Sequence, residues 1–379
     1  MYRLVVKNFG VLKDIDIVLN KTNLFIGNNG SGKSVLAKLI TIITNTTLSE
    51  DKIYKKFKDF DIDFIKEDTF IEFKENNNSM IKIENKKLTF FEDKIKLENL
   101  LNELNSPNIQ NKINEIKLFA QFSNKKTRDE IKEFSKIITN LNSDVEKLKS
   151  QYIPAERNLI SLLNQSLSNL IVNEIPLPKS LMIFASNFEK AKNEIKELAL
   201  LDMKYISSNG QDKIYYDDDN YLPLENSSSG MQTALPMYLT IKYFNSKHNN
   251  IIIEEPEQNL YPKAQIDTIK FIVENSDNNL YLMTHSPYVL SILNILIFAF
   301  KASNTNNILK QKIEAIVPPS QQINPKKFSA YLIKDGKSIN IKGNKTGMIK
   351  ENVIDDISDD IDDQFDELME LYREFKDAK

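Results

Sequence analysis

Apolar and polar residues alternate near the start of the chain, at 2–6 and again at 15–19, before an unbroken apolar run, Leu24-Phe25-Ile26. Alternation with a period of two is typical of β-strands, and a continuous run is typical of a strand buried on both faces. We therefore predict two outer strands that lead into a buried central strand. The alternation returns over 69–92 around a polar turn at 76–79, which predicts an antiparallel β meander.

From residue 93 the apolar positions follow the helical period instead. Between 131 and 148 they step by three and four, as in a coiled-coil seam, but for fewer than three heptads. The pattern favours a short amphipathic helix packed on its own domain over a long protruding rod. Residues 158–204 are predicted to be helical again, with interruptions at Pro176 and Pro178.

The next part of the chain is predicted to mix strands and helices. An Asn209-Gly210 turn signal predicts a hairpin over 203–217. Two apolar runs, 251–253 and 279–283, predict buried strands, and the apolar run 288–300 predicts a buried helix. That last run is shorter than the ~20 apolar residues that cross a bilayer, so no membrane association is expected.

The end of the chain combines a hairpin with a strongly amphipathic segment. Residues 329–341 predict a hairpin on an Asp335-Gly336 turn. Over 353–375, an apolar stripe at helical spacing is flanked by dense negative charge, which predicts an acidic amphipathic helix. This helix is expected either to dock on its own domain or to recruit a basic partner, and the pattern leaves both interpretations open.

Composition limits the class of protein without indicating a substrate. The 379 residues, 41% of them apolar, suffice for two or three globular domains. The absence of cysteine excludes disulfides, thiolate metal sites and cysteine nucleophiles, and no N-terminal signal segment is recognised, so we expect a cytoplasmic protein. The net charge of -3 provides no global basic field, so any nucleic-acid contact is expected to be local, as at 125–128 or 326–327.

A glycine-rich loop joins the predicted central strand to a helical pattern that begins at Val35. It has the Gly-x-x-x-x-Gly-Lys-Ser spacing of a P-loop, or Walker A motif. Glycines allow backbone N–H groups to approach phosphates, and the helix N-terminus adds partial positive charge. We expect Lys33 to reach the β- and γ-phosphates of a nucleoside triphosphate and the Ser34 hydroxyl to bind Mg²⁺. The predicted binding residues are Gly27, Asn28, Asn29, Gly30, Ser31, Gly32, Lys33 and Ser34.

Two adjacent carboxylates, Glu254 and Glu255, end the predicted strand at 251–253. The carboxyl ends of strands are where α/β sheets bind their ligands. Because alternation directs neighbouring side chains to opposite sides, one carboxylate can hold Mg²⁺ while the other polarises an attacking water. A solvated acidic turn is the alternative, but it is disfavoured directly after three isoleucines.

Two further positions are candidates on weaker grounds. A lone histidine is more often structural than catalytic, but the position of His285 after a buried strand favours it over His248, which lies in a polar loop. Residues 226–232, Asn-Ser-Ser-Ser-Gly-Met-Gln, open a predicted helix. They are either a second phosphate site or simply a helix N-cap, and the pattern does not decide between the two.

In their order along the chain, these motifs resemble an ABC-type ATPase head of the SMC and RecF kind. The matching segments are the Walker A motif at 27–34, a Ser-Ser-Gly-x-Gln signature at 228–232, a Walker B strand at 251–255 and Thr-His-Ser-Pro at 284–287. The fold that this resemblance implies is an α/β, P-loop ABC-type ATPase head with an antiparallel β meander, a helical insertion lobe and a small C-terminal hairpin plus helix.

A nearer resemblance is to the overcoming-lysogenization-defect (OLD)-like branch of bacterial AAA ATPases, which includes ATPase subunits of anti-phage systems. The shared features are Asn8-Phe9, Tyr-Ile-Pro-Ala-Glu-Arg at 152–157, Ser-Ser-Gly at 228–230 and Glu-Glu-Pro-Glu at 254–257. The resemblance covers residues 1 to about 300 and extends only loosely into the tail.

The resemblance implies a role for each matched residue. ATP and Mg²⁺ would be bound by the Walker A residues, with Ser34 and Glu254 on the metal. Glu255 would be the catalytic base and His285 the γ-phosphate sensor. The signature residues Ser229, Gly230 and Gln232 would meet the nucleotide of the opposite subunit, with the D-loop at 257–259 crossing the same interface. The active form implied is an ATP-sandwiched homodimer.

The resemblance also implies an organisation of the chain in four parts. They are an N-terminal ATPase lobe with Walker A at 1–92, a helical insertion at 93–202, the signature, Walker B, D-loop and His-switch part at 203–300, and a C-terminal hairpin with the acidic helix at 301–379.

Several departures from the family pattern refine these expectations. Glu254 stands where Walker B usually carries aspartate, and Met231 stands where transporters carry glycine, which disfavours a transporter subunit. No separate Q-loop glutamine is obvious, and Glu156-Arg157 is our candidate for that junction. Full OLD nucleases continue into a long Toprim domain, but too few residues follow Pro287, so we expect no nuclease in this chain.

The leading functional hypothesis is a nucleotide-driven dimeric switch that controls a separate effector protein, a nuclease or toxin, in antiviral defence. The alternative is a RecF- or SMC-like DNA-binding repair ATPase. Long coiled coils would favour the SMC role, and the sequence shows none. Acid clusters at strand ends after Pro287 would favour a self-contained nuclease, but the acids there lie on the predicted amphipathic helix. Local nucleic-acid contact remains compatible with both leading hypotheses.

Overall fold

The computed structural model describes ten ranges of the chain. They are residues 1–45, 49–76, 78–91, 149–163, 176–208, 210–245, 247–248, 250–305, 307–350 and 368–369. The coiled-coil-like segment predicted at 131–148 lies outside them, as does nearly all of the acidic helix predicted at 353–375. Within the described ranges, no helix is long and apolar enough to span a membrane.

The described ranges contain both strands and helices. The strands are β1 (Tyr2–Phe9), β2 (Leu12–Leu19), β3 (Thr22–Ile26), β4 (Phe70–Glu75), β5 (Asn78–Glu84), β6 (Lys87–Phe90), β7 (Ser150–Ile153), β8 (Glu197–Leu200), β9 (Met203–Ser208), β10 (Gln211–Tyr215), β11 (Tyr221–Pro223), β12 (Asn250–Glu254), β13 (Asn279–Thr284), β14 (Phe328–Lys334) and β15 (Lys337–Asn340). The helices are α1 (Lys33–Ile43), α2 (Glu50–Asp59), α3 (Asn158–Leu163), α4 (Lys179–Glu194), α5 (Ser229–Phe244), α6 (Pro262–Glu274), α7 (Pro287–Ser303) and α8 (Asn307–Ile316).

Most strands belong to one large sheet, with the order β6-β5-β4-β1-β2-β15-β14-β3-β13-β12-β7. From β14 to β7 the neighbouring strands are parallel. Their carboxyl ends therefore meet at one edge, where ligands bind in α/β folds. From β6 to β2 the neighbours are antiparallel, which confirms the α/β fold with an antiparallel meander. The C-terminal hairpin, β14 and β15, lies inside this sheet between β3 and β2.

The second sheet is smaller and has the order β11-β10-β9-β8. Its central hairpin, β9 and β10, is the one predicted over 203–217, and Gly210 has the positive φ of 75° that its turn requires. This sheet corrects one prediction, because 195–204 is not helical. Leu198 and Leu200 alternate with exposed residues in β8, and the strand pairs with β9 instead of continuing α4.

Alternate residues of the central strands divide the core between the two faces of the large sheet. Leu24 and Ile253 belong to one buried cluster, together with apolar residues of α5 and α7. Phe25 and Ile252 belong to the other, together with apolar residues of α1. Helices thus cover both faces of the parallel strands, which explains why these strands read as continuous apolar runs.

Two further expectations are corrected by the structure. The turn between β4 and β5 is tighter than 76–79, because β5 already begins at Asn78 and Asn76 adopts the left-handed conformation with φ 47°. The apolar run 288–300 forms α7 but is not wholly buried, since Ile295 is 52% exposed and Phe298 is 58% exposed. At 3.6 residues per turn, only one side of α7 faces the core.

Candidate functional site

The P-loop (residues 27–34) follows β3 directly and leads into α1. Gly27 lies against β14 so closely that a Cβ atom there would be 2.2 Å from the Ile333 carbonyl oxygen. Gly32 precedes the helix with a φ of 105°, a conformation that other residues rarely adopt. The loop therefore needs glycine at both positions, and glycine-rich loops of this kind can direct backbone N–H groups at a phosphate.

Lys33 begins α1 and turns back into the P-loop. Its Nζ atom donates hydrogen bonds to the carbonyl oxygens of Gly27, at 2.6 Å, and Asn28, at 3.3 Å. Burial lowers the pKa of Lys33, while the carboxylates of Glu255 and Glu257 oppose that shift. The lysine is thus a buried cation held inside the loop by weak neutral acceptors, and phosphate oxygens are stronger ones.

Ser34 and Glu254 join the P-loop to the end of β12. Ser34 Oγ donates to Glu254 Oε2 at 2.7 Å, and the Tyr152 hydroxyl donates to Glu254 Oε1 at 2.5 Å. Burial raises the pKa of Glu254, and these two hydrogen bonds oppose the shift. A hydroxyl and a carboxylate are the oxygen donors that Mg²⁺ prefers, so the side chains present fit this ion.

Glu255 follows β12 in a different environment from its neighbour. Its φ of 44° is unusual for a residue other than glycine, and its N–H donates to the Met283 carbonyl at 2.8 Å. Glu255 Oε2 lies 3.0 Å from His285 Nδ1. Burial, followed by the charge of nearby Glu257, raises the pKa of Glu255 to about 9, and Lys33 opposes the shift. The two adjacent carboxylates thus face different partners, although β12 ends at Glu254 and Glu255 is no longer part of the strand.

Glu257 lies inside the same site, whereas the resemblance had placed it only in the D-loop at 257–259. It is only 5% exposed, and its Oε1 accepts hydrogen bonds from Thr284 Oγ1, at 2.5 Å, and the His285 N–H, at 3.2 Å. Glu257 therefore connects the loop after β12 to the end of β13. The motif Glu-Glu-Pro-Glu at 254–257 was the only signal that could have pointed to it.

A second residue with an unexpected position is Arg157, whose side chain is fully buried. Its guanidinium donates to the carbonyl oxygens of Glu254 at 2.7 Å, Glu255 at 2.6 Å and Thr233 at 3.1 Å. Burial lowers its pKa to about 10, and the surrounding carboxylates oppose the shift. The sequence marked Arg157 only as part of a junction, whereas the structure places it between the Walker B strand and α5.

The signature residues lie at the start of α5. Ser228 caps the helix by accepting a hydrogen bond from the Met231 N–H at 3.4 Å, and Ser229 is exposed. Gln232 donates to the carbonyl oxygens of Glu225 and Ser227, both at 2.9 Å, so its amide faces the preceding loop. Both interpretations of this segment persist, because a cap is present and the exposed serine is available for a further contact.

The predicted site residues thus form two separate groups within one chain. Lys33, Ser34, Glu254, Glu255 and His285 meet at the carboxyl ends of β3, β12 and β13. The signature residues Ser229, Gly230 and Gln232 form no hydrogen bond with residues 27–34 in the part of the chain that the structure describes. Gly230 packs instead against the loop after β12, where a Cβ would lie 3.0 Å from the Asn259 carbonyl oxygen.

Comparison with known families identifies the class of protein. The sequence model of a family described as an AAA ATPase domain matches residues 48–290, which is more than half of the chain. The chain therefore belongs to this family of AAA ATPase domains, and the protein is an ATP-hydrolysing enzyme. The match includes the signature, Walker B and Thr-His-Ser-Pro segments, and the P-loop at 27–34 precedes it.

Curated proteins include none that matches the chain in sequence. Solved structures with a similar chain trace include an SMC head domain from Pyrococcus furiosus bound to the C-terminal domain of ScpA, at 11% identity and a TM-score of 0.35, covering 89% of this chain and 95% of that one. The SMC head domain from Thermotoga maritima has 14% identity and a TM-score of 0.38, with 76% and 90% covered. CbiO1 from Clostridium perfringens, part of the ABC transporter complex CbiONQ, has a TM-score of 0.33 at 13% identity, with 89% and 86% covered. These likenesses are too remote to assign a function.

Proposed function

We propose that this ATPase is a Mg²⁺-dependent, cytoplasmic switch whose two copies close around ATP, and whose cycle controls a separate effector protein in antiviral defence. The observation that carries the ATPase part of this proposal is the convergence of Lys33, Ser34, Glu254, Glu255 and His285 at one edge of the sheet. The defence role and the effector, a nuclease or toxin, rest on the resemblance of the motifs to OLD-like ATPases.

The P-loop side of the site would bind the nucleotide. Backbone N–H groups of 28–34 would surround the phosphates, and Lys33 would exchange its loop carbonyl acceptors for β- and γ-phosphate oxygens. Ser34 and Glu254 would hold Mg²⁺, with Tyr152 fixing the orientation of the Glu254 carboxylate. When bound, Mg²⁺ would neutralise negative charge on the phosphates.

Glu255 is the proposed general base, with His285 as the sensor of the γ-phosphate. With a pKa of about 9, the Glu255 carboxyl retains a proton at neutral pH in the described arrangement, and it must lose that proton before it can accept one from water. His285 is about half exposed and therefore free to turn towards a phosphate. The approach of further cations would favour the ionised form of Glu255.

Dimerisation would complete the site. Ser229 is exposed at the N-terminus of α5 and is not hydrogen-bonded to the P-loop of its own chain, so it is available to a phosphate held by another subunit. Gly230 and Gln232 would support that contact, Gly230 by close backbone approach and Gln232 by fixing the preceding loop. The packing of Gly230 against Asn259 would place the D-loop at the same interface.

The central experiment separates nucleotide binding from control of an effector. The purified protein, co-expressed with the proteins encoded beside it, would be isolated with and without ATP, and Lys33→Ala would serve as the variant that cannot bind nucleotide. We expect a neighbouring protein to co-elute in a manner that depends on ATP and on Lys33. Lys55→Ala, an exposed lysine on α2, is the matched control. ATP turnover stimulated by duplex DNA, without any co-eluting neighbour, would favour the RecF- or SMC-like alternative instead.

A further inference from the structure

Three side chains within the proposed catalytic centre form a compact group of metal-ligating types. Glu255, Glu257 and His285 each offer one ligand atom, and these atoms all lie within 4.8 Å of one another. Two carboxylates and an imidazole form a mixed oxygen and nitrogen donor set. This set differs from that of Ser34 and Glu254, which offer oxygen alone.

One oxygen of each carboxylate in this group is not satisfied by the described residues. Among the described residues, Glu257 Oε2 and Glu255 Oε2 are buried and have no hydrogen-bond partner. Glu257 is only 5% exposed, so water cannot readily supply the hydrogen bond that Glu257 Oε2 lacks. Glu255 Oε2 is close to His285 Nδ1, at 3.0 Å, but the contact lacks hydrogen-bond geometry. An additional cation or proton is therefore needed between these groups.

Two nearby cations in the described part of the chain, Lys33 and Arg157, do not fill this need. Lys33 interacts with both carboxylates at a distance, but its Nζ hydrogen-bonds to the carbonyl oxygens of Gly27 and Asn28. The Arg157 guanidinium is likewise directed at backbone carbonyls. In contrast, Glu257 Oε1 is fixed by Thr284, which orients the free oxygen of the same carboxylate.

We propose that Glu255, Glu257 and His285 bind one divalent transition-metal ion of the Zn²⁺ type, at a site distinct from the proposed Mg²⁺ position. Imidazole nitrogen with carboxylate oxygen is a ligand set that Zn²⁺ and Co²⁺ accept readily, whereas Mg²⁺ prefers oxygen alone. The consequence, which rests on the proposed function, is regulatory. An ion held there occupies both the general base and the γ-phosphate sensor, so it inhibits hydrolysis without displacing ATP.

The test is a titration of the nucleotide-free, full-length protein with Co²⁺, monitored by its visible absorption bands. We expect one Co²⁺ per chain, displaced by Zn²⁺. Glu257→Gln retains the acceptor for Thr284 but loses the free carboxylate oxygen, and His285→Ala removes the imidazole from a side chain that is largely exposed. Each is expected to weaken Co²⁺ binding at least about tenfold. Ser34→Ala and His248→Ala, which alter the Mg²⁺ position and the other histidine, should bind Co²⁺ as the wild type does.

Failure of the metal site and failure of the ATPase proposal are distinguishable. The metal site would be overturned if the wild type shows no Co²⁺ bands, or if the bands survive in both Glu257→Gln and His285→Ala. A proton shared between Glu255 and Glu257 would then remain as the explanation of the unpartnered carboxylate oxygens. Circular dichroism checks that Glu257→Gln folds. If Glu257→Gln does not fold, the Co²⁺ titration of His285→Ala tests the metal site alone. Zn²⁺ should inhibit Mg²⁺-dependent ATP turnover more strongly in the wild type than in Glu257→Gln, with ATP binding retained. Co²⁺ binding without any ATP turnover would contradict the proposed function alone.

Discussion

The Ser34 hydroxyl donates a 2.7 Å hydrogen bond to Glu254 Oε2, although 220 positions of sequence separate the two residues. The contact exists because β3 and β12 flank β13 in a parallel arrangement, so that α1 begins beside the end of β12. The hydroxyl and carboxylate oxygens that would hold Mg²⁺ are therefore already adjacent. Binding of the ion would replace one hydrogen bond and would not require the two strands to move.

Replacing Glu255 with glutamine tests the proposed general base. Glutamine is nearly isosteric but cannot accept a proton from water, and loss of a positioned base costs roughly 10² to 10⁴ in rate. We expect Glu255→Gln to bind ATP with Mg²⁺, to hydrolyse it at least ~100-fold more slowly, and to accumulate as a dimer. Phosphate release at saturating ATP measures the rate. Turnover at the wild-type rate would remove Glu255 from this role.

Replacing Ser229 with arginine tests the proposed dimer. Ser229 is exposed and forms no hydrogen bond with the P-loop of its own chain, so Ser229→Arg should leave ATP binding to the monomer intact. A long cation at the start of α5 should block closure of the two subunits, and hydrolysis with it. Light scattering with a non-hydrolysable ATP analogue measures dimerisation, and Ser291→Arg, at another exposed serine, controls for added charge. Normal dimerisation of Ser229→Arg would mean that residues 228–232 are only a helix cap.

Local patterns were sufficient to predict most of the described strands and the residues at their ends. The run 24–26, the P-loop spacing and the acids after 251–253 are each complete within a short segment of the sequence. Residues 195–204 were missed because β8 has only four residues, and its pairing with β9 outweighs the helical tendency of the sequence before it. The pairing of β8 with β9 cannot be predicted from the few residues of β8 alone.

The sequence predicts those residues of the candidate site whose function follows from the short motif that contains them. The positions of Tyr152, Arg157 and Glu257 depend instead on which strands become neighbours in the sheet. Tyr152 approaches Glu254 because β7 pairs with β12, and no pattern within 150–157 specifies that partner. The positions of these three side chains therefore follow from the sheet order and not from their local sequence.

Arg157 offers a test of how the Walker B strand is connected to α5. Arg157→Met would leave the carbonyl oxygens of Pro154, Thr233, Glu254 and Glu255 without these donors inside the protein. Because hydrogen bonds to a charged group are worth about 1.5–3 kcal/mol each, we expect the free energy of unfolding to fall by about 3 kcal/mol or more. Urea denaturation measures the change.

A lysine at the same position is the matched control for charge. Arg157→Lys retains the cation but cannot place several donors in one plane, so it should recover only a small part of the lost stability. Arg157→Lys with wild-type stability would mean that the charge, and not the geometry of the guanidinium, stabilises this region. A methionine variant as stable as the wild type would mean that Arg157 contributes little to the fold.

The final prediction concerns the dependence of stability on pH. Burial and the charge of Glu257 raise the pKa of Glu255 from 4.5 to about 9 in the folded protein. Between these values the folded state retains a proton that the unfolded chain has lost, so the contribution of Glu255 to stability is complete below the lower value and declines as the pH rises. The free energy of unfolding of the wild type should therefore fall relative to that of Glu255→Gln as the pH rises from roughly 5 to 9. The shift should be smaller when both proteins also carry Glu257→Gln, since the repelling charge is then absent.

Denaturant unfolding from about pH 5 to pH 9 measures both differences in free energy of unfolding. A difference between the wild type and Glu255→Gln that does not vary with pH would show that Glu255 ionises as freely in the folded protein as in the unfolded chain.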